Sequence, residues 1–202
     1  MDTTVKIPTF LGKLRVATSQ SHTNLEALPV SVSIMNPNVS NEEYALYLTL
    51  MHDVVKDAEE NIFPVAKAVL PELDVHPKAH FIEADLNTLG AVKKTSYSPL
   101  SSKIDVDTIS PAFALGVMYV IEGSSLGGRV ILKNITGALN HTAESGASYF
   151  AGYGGQTGSH WKSFLENLTG YEAKTDSQND IIKGADFAFN AIASHFKQND
   201  QE

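Results

Sequence analysis

The segment ALGVMYVIEGSSLGGRVILKNI, residues 114–135, constrains the fold more than any other stretch of the chain. Its apolar positions recur every three or four residues, the period of a helix face. Yet Gly116, Gly123, Gly127 and Gly128 lie inside it, with Ser124 and Ser125 between them. Each interior glycine costs a helix roughly 1 kcal/mol against alanine. A helix that keeps several needs bare backbone, and two uses fit. A neighbouring helix can pack against it through the small residues, or a flat, rigid ligand can lie on it. Gly116, Gly123 and Gly127 are spaced by seven and four residues and so share a face, with Gly128 beside it.

The rest of the chain also reads as helix. Phe10, Leu11, Leu14, Ala17, Ser21 and Leu25 predict a first helix over 8–28, ending before Pro29. SVSIMNPNV reads as a loop. Ser40 and Glu43 have the capping-box spacing and open a stripe of Tyr44, Leu48, Met51, Val55 and Ile62. Pro64 and Pro71 interrupt the chain beyond that stripe. A further helix opens near Pro77 and stops at Gly90. Residues 93–109 read as a polar connector, and Ser110-Pro111 starts the glycine-bearing helix. Beyond a loop with a short helical turn, HWKSFLENL resumes as helix. Ile181, Ala185, Ala188, Ile192 and Phe196 mark one face of the last helix. The only alternating stretch, VSVSI, is too short and isolated for a sheet. The expectation is an all-α fold in a single domain, residues 1–202.

Composition narrows the function classes. The 15 Lys and Arg against 23 Asp and Glu give a formal charge of −8, with no basic run, so nucleic acid is not an expected partner. The absence of cysteine removes thiolate catalysis and Cys-based metal sites. MDTTVKIPTF lacks the basic start and apolar run of a signal peptide, and no apolar stretch approaches the roughly 20 residues of a membrane span. A soluble, cytoplasmic protein with no membrane partner is expected.

Of seven histidines, His76, His80 and His141 fall in or near loops and are expected at the surface. His52, His160 and His195 are expected as solvated or core-edge residues on helices. His22 has a more informative neighbourhood. Glu26 lies one turn later on the same face and could anchor the second ring nitrogen of a metal-bound imidazole. Arg15, two turns earlier on that side, could receive an anionic group. The spacing alone also describes an exposed helix with an ordinary His/Glu pair. A lone imidazole on one helix and bare backbone on another are together what a planar metal macrocycle requires.

These residues resemble the haem oxygenases, particularly the bacterial biliverdin-producing branch associated with bacterial phytochromes. LRVATSQSHTNLEALP resembles the family's proximal helix, and MYVIEGSSLGGRVILKNI its kinked, glycine-rich distal helix. EADLNTLG and YFAGYGGQTGSHWKSFLENL resemble later segments in family order. The resemblance implies an all-helical fold with haem, both substrate and cofactor, between the two helices. It implies His22 as the iron ligand with Glu26 matching the acid beside it, and Arg15 and Lys162 as partners of the haem propionates. Gly123 and Gly127 would be the distal glycines. A second basic position one turn after Lys162 is Glu166 here, and Ser124 stands where animal-type members carry aspartate.

The implied reaction opens haem at a meso carbon to biliverdin and releases carbon monoxide and iron. It uses dioxygen and electrons from a ferredoxin or a reductase, with a bacterial phytochrome as a candidate acceptor of the product. Gly123, Gly127 and Ser124 would serve catalysis, Ser124 and Ser125 by ordering distal water. The competing readings are a haem carrier or sensor using the same pocket without turnover, and more distantly a thiaminase-like or di-iron helical enzyme.

Overall fold

Thr9 opens the first helix: its hydroxyl accepts a hydrogen bond from the Gly12 N–H at 3.2 Å, capping α1 (Phe10–Glu26). In the computed structural model, which describes residues 9–199 except 92, 94 and 95, helix follows helix. Most of MDTTVKIPTF lies outside the described residues, as does part of the 93–109 connector. Leu14, Thr18 and Ser21 form the buried line of α1. Thr18 takes the place expected of Ala17, which is exposed. It can do so because its hydroxyl bonds the Leu14 carbonyl of its own helix at 2.9 Å and needs no partner elsewhere.

The stretch read as a loop begins inside α2 (Pro29–Ser33), which has Pro29 in its first turn, where a missing N–H breaks no bond. VSVSI falls there and forms no strand. α3 (Asn41–Asp57) starts at the expected capping box: Ser40 Oγ accepts from Glu43 N at 3.2 Å, and Glu43 Oε2 accepts from Ser40 N at 2.8 Å. A π-helical turn, Ala58–Ile62, leads into α4 (Phe63–Lys67). Pro64 has no N–H for the carbonyl four residues back, and the Phe63 N–H donates to Ala58, five residues back.

α5 (Ala79–Thr88) is followed by Gly90 at φ +66°, the left-handed stop predicted for it. α6 (Pro111–Leu139) carries all four glycines through 29 residues of helix, from the Ser110 cap to Asn140 in left-handed conformation. α7 (Ser148–Ala151), α8 (Thr157–Thr175) and α9 (Gln178–Asn199) complete the chain. Among the described residues there is no strand, only isolated bridges at Thr142. The architecture is all-α.

α9 organises the packing. Its contact with α6 is the largest between elements, and its contact with α1 is second. A Cβ at Gly116 would lie 2.0 Å from the Ile181 carbonyl oxygen, and one at Gly184 2.0 Å from that of Phe113. Two helices therefore meet backbone to backbone at reciprocal glycines. On its other contact surface, α9 receives α1 through a 2.7 Å hydrogen bond from Ser21 to Asp186.

Two expectations need correction here. α6 is long and apolar enough by composition to cross a membrane, although no stretch of that kind is expected from the sequence; its buried side belongs to the core formed with α9, α7 and α8. The serines and glycines inside it break up the apolar run. His52 and His195, read as solvated or core-edge, are each 4% exposed. Both are bound to carboxylates: His52 to Glu83 at 2.9 Å and His195 to Asp53 at 3.2 Å.

Candidate functional site

The four glycines in the middle of α6 face different things, and a fifth, Gly137, lies near its C-terminal end. Gly116 is used on α9, and a Cβ at Gly128 would lie 3.2 Å from the Phe150 carbonyl of α7. These two serve helix packing. A Cβ at Gly123 would meet the Trp161 indole at 3.3 Å, and one at Gly127 would meet nothing within 4 Å. Of these four, Gly127 alone presents bare backbone to open space, and Val130, one turn on, is 57% exposed.

The chain from Arg15 to Asn36 is tied to α6 at both ends. At one end the Arg15 guanidinium interacts with the Tyr119 hydroxyl; burial raises the Tyr119 pKa and Arg15 opposes that rise. At the other, the Asn134 side-chain amide donates to the carbonyls of Ile34 and Asn36, both at 2.9 Å. Tyr119 and Asn134 are fifteen residues apart, about 22 Å of helix. In sequence, His22 and Glu26 fall between the ties on the first segment, and Gly123, Gly127 and Val130 fall between them on α6.

His22 has a side chain 53% exposed, its Nδ1 3.3 Å from Glu26 Oε2. Its ring meets Phe189 of α9 edge-on, with centroids 5.2 Å apart. Its Nε2 has no hydrogen-bond partner among the described residues. An imidazole with a carboxylate near one nitrogen and, among the described residues, no partner on the other can ligate a metal. Lys162 is exposed and lies 3.7 Å from Glu166, the residue that replaces the family's second basic position. The structure thus brings Arg15 to α6, but leaves Lys162 on its own helix.

Ser124 donates its hydroxyl hydrogen to the Ile121 carbonyl at 2.7 Å, and so offers a water only its lone pairs. Ser125 accepts from Lys78 Nζ at 3.1 Å. Both serines border a cavity of about 20 Å³ with Tyr47, Met51, Gly128 and Tyr149, room for a single water. Burial pushes the Tyr47 phenol up to about 12 and raises Tyr149 also, so both hydroxyls keep their protons near neutral pH.

Sequence reasoning missed Tyr119, Asn134 and Trp161, which bound the face of Gly123 and Gly127. The aromatic spacing of Trp161 and Phe164 was the available signal for the last. It also missed the ion pair behind α6, where Lys78 Nζ meets both Glu122 oxygens at 2.8 and 2.9 Å and each residue is almost wholly buried.

The family model described as Heme oxygenase matches residues 8–198. The chain belongs to the haem oxygenase family. The heme oxygenase PigA of Pseudomonas aeruginosa is 30% identical over 179 residues, 88% of this chain and 86% of PigA. Among solved structures, the haem oxygenase of Neisseria meningitidis, bound to NO and CO, superposes with a TM-score of 0.72 at 24% identity, over 96% of this chain and 92% of that one. The Leptospira interrogans enzyme gives 0.76 at 19% identity, over 94% and 99%. Heme oxygenase-1 of the cyanobacterium Synechocystis, in complex with heme, gives 0.67 at 16% identity, over 94% and 91%. These likenesses show the fold. As a haem oxygenase family member, the chain is an oxygenase of haem degradation. Its residues fit a porphyrin on two counts: Gly127 leaves the helix bare toward open space, and His22 Nε2 is uncommitted.

Proposed function

We propose that this protein, as a single haem oxygenase domain over residues 1–202, opens haem at a meso carbon to biliverdin, carbon monoxide and iron, with haem held between α1 and α6. The observation that carries the reading is a half-exposed imidazole with one free nitrogen, on a segment tied at both ends to a helix whose face is bare at Gly127. When bound, haem supplies dioxygen activation at its iron and is itself the molecule consumed. Electrons come from an external donor, a ferredoxin or a reductase, and a bacterial phytochrome is a candidate acceptor of the product. The setting in which it acts is the cytoplasm.

His22 would hold the haem iron through Nε2, with the Glu26 carboxylate 3.3 Å from Nδ1 and so able to orient the ring. Arg15 pairs with a propionate from beside Tyr119; Lys162 would do so by exchanging Glu166 for it. Gly127 allows the macrocycle to approach the α6 backbone, so that main chain rather than a side chain limits the room above the ring. Ser124, with its hydrogen committed to Ile121, accepts from a water in the small cavity behind it. The Tyr149 hydroxyl, kept protonated by burial, shares a hydrogen bond with Ser124 beside that cavity.

The test is to mix purified protein with ferric haem, supply a reductant under air, and follow the absorption spectrum. Loss of the haem band with growth of the biliverdin band is expected. A stable haem complex that never yields biliverdin with either a ferredoxin system or ascorbate would support the carrier or sensor reading, which the committed Ser124 hydroxyl favours.

A further inference from the structure

Gly123 and Gly127 are one turn apart on α6, but only Gly127 is uncovered; the edge of the Trp161 indole lies over Gly123. That indole is held firmly. It stacks on Phe164 with centroids 5.6 Å apart and planes 6° from parallel, and it packs against Tyr119 at 5.4 Å. We propose that Trp161 is a positioning residue that fences one edge of the porphyrin and selects its in-plane orientation. This inference rests on the reading that haem lies between α1 and α6.

The location supports the role. Tyr119 carries Trp161 on its ring and Arg15 at its hydroxyl, and Lys162 is the next residue in the chain. The rigid indole therefore stands, through Tyr119, at the Arg15 end of the proposed haem site. A macrocycle of near fourfold outline can turn about an axial ligand with little change in apolar contact. Something must break that symmetry if one meso edge is to be presented. Lys162 is exposed and engaged by Glu166, so its ion pair discriminates weakly. An indole fixed by two aromatic neighbours does not yield to a turning ring edge, because moving it sacrifices both stacking contacts. With Gly123 covered, the porphyrin meets backbone at Gly127.

The experiment compares wild type, Trp161→Phe, Trp161→Ala and Trp161→Leu. Orientations are counted from the haem methyl resonances in the proton NMR spectrum of the cyanide-bound ferric complex. Biliverdin isomers are separated after turnover. Trp161→Ala should raise the minor orientation and its isomer by up to about tenfold, the size set by losing one aromatic contact. Trp161→Phe should restore the wild-type distribution. Trp161→Leu keeps an apolar surface for Tyr119 and Phe164 and serves where alanine unfolds the chain.

Unchanged orientation and isomer ratios in the folded alanine or leucine variant would overturn the proposal, as would loss of haem binding altogether. The cleft reading fails separately. If Gly127→Leu binds haem with a wild-type spectrum, haem does not lie on this face of α6, whatever Trp161 does.

Discussion

At His22 the side chain is half-exposed, with the Glu26 carboxylate near Nδ1 and no partner on Nε2 among the described residues. His22→Ala is expected to weaken ferric haem binding and change the absorption spectrum of what remains bound, measured by titration. Gly127 offers a second test in which stability and function separate. Its Cβ position is open, so Gly127→Ala should stabilise the helix by roughly 1 kcal/mol, read in the urea midpoint. Gly127→Leu should keep the helical circular dichroism while abolishing haem turnover. The His22/Glu26 pair was legible because one helical turn is written directly in residue spacing. The fate of each glycine was not, because spacing gives a face but not the neighbour on it. Gly123 and Gly127 share a stripe, and only the tertiary placement of Trp161 distinguishes them.

Between elements, the glycines at positions 116 and 184 are structural. Gly116→Ala would drive a methyl into the Ile181 carbonyl, where backbone and not a flexible side chain must yield. We expect it to destabilise the fold by about 1–3 kcal/mol or more, opposite in sign to the same change at Gly127. The buried pair behind α6 gives a second contrast. Lys78→Met leaves the Glu122 carboxylate without its cation and should cost about 3–5 kcal/mol, while Lys78→Met with Glu122→Met should recover most of that loss in the same denaturation assay.

Helix positions were largely readable, since caps such as Ser40 with Glu43 and stops such as Gly90 are local chemistry. The π turn at Ala58–Ile62 was hidden, although Pro64 marked the place. α2 was hidden as well: five residues are too few to show a helical period.

For the whole molecule, Asp53 links distant parts. It lies on α3, bonds His195 of α9 at 3.2 Å, receives the Tyr97 N–H at 2.8 Å, and pairs with Lys93. Burial alone would raise its pKa, but the bonds from His195, Lys93 and Tyr97 outweigh burial and hold the carboxyl below its ordinary 3.8. A carboxyl held lower in the folded than in the unfolded chain stabilises the fold above about pH 4, and that contribution is lost as pH falls through the folded value. Asp53→Asn should therefore lower stability at pH 7 and flatten its decline in acid, measured by urea titration at several pH values. None of this linkage was legible, because its partners lie far apart in sequence.

The reciprocal notch between α6 and α9 sets how the cleft can move. Two backbones locked at Gly116 and Gly184 leave no room to slide, so that crossing acts as a fulcrum. Beyond it, α6 carries Gly123 and Gly127 and is braced again by Lys78 at Glu122, by α7 at Gly128 and by Asn134 on Ile34 and Asn36. A tetrapyrrole held as proposed would therefore lie under a stiff roof, and the room to let it go would have to come from something other than a slide of α6 along α9.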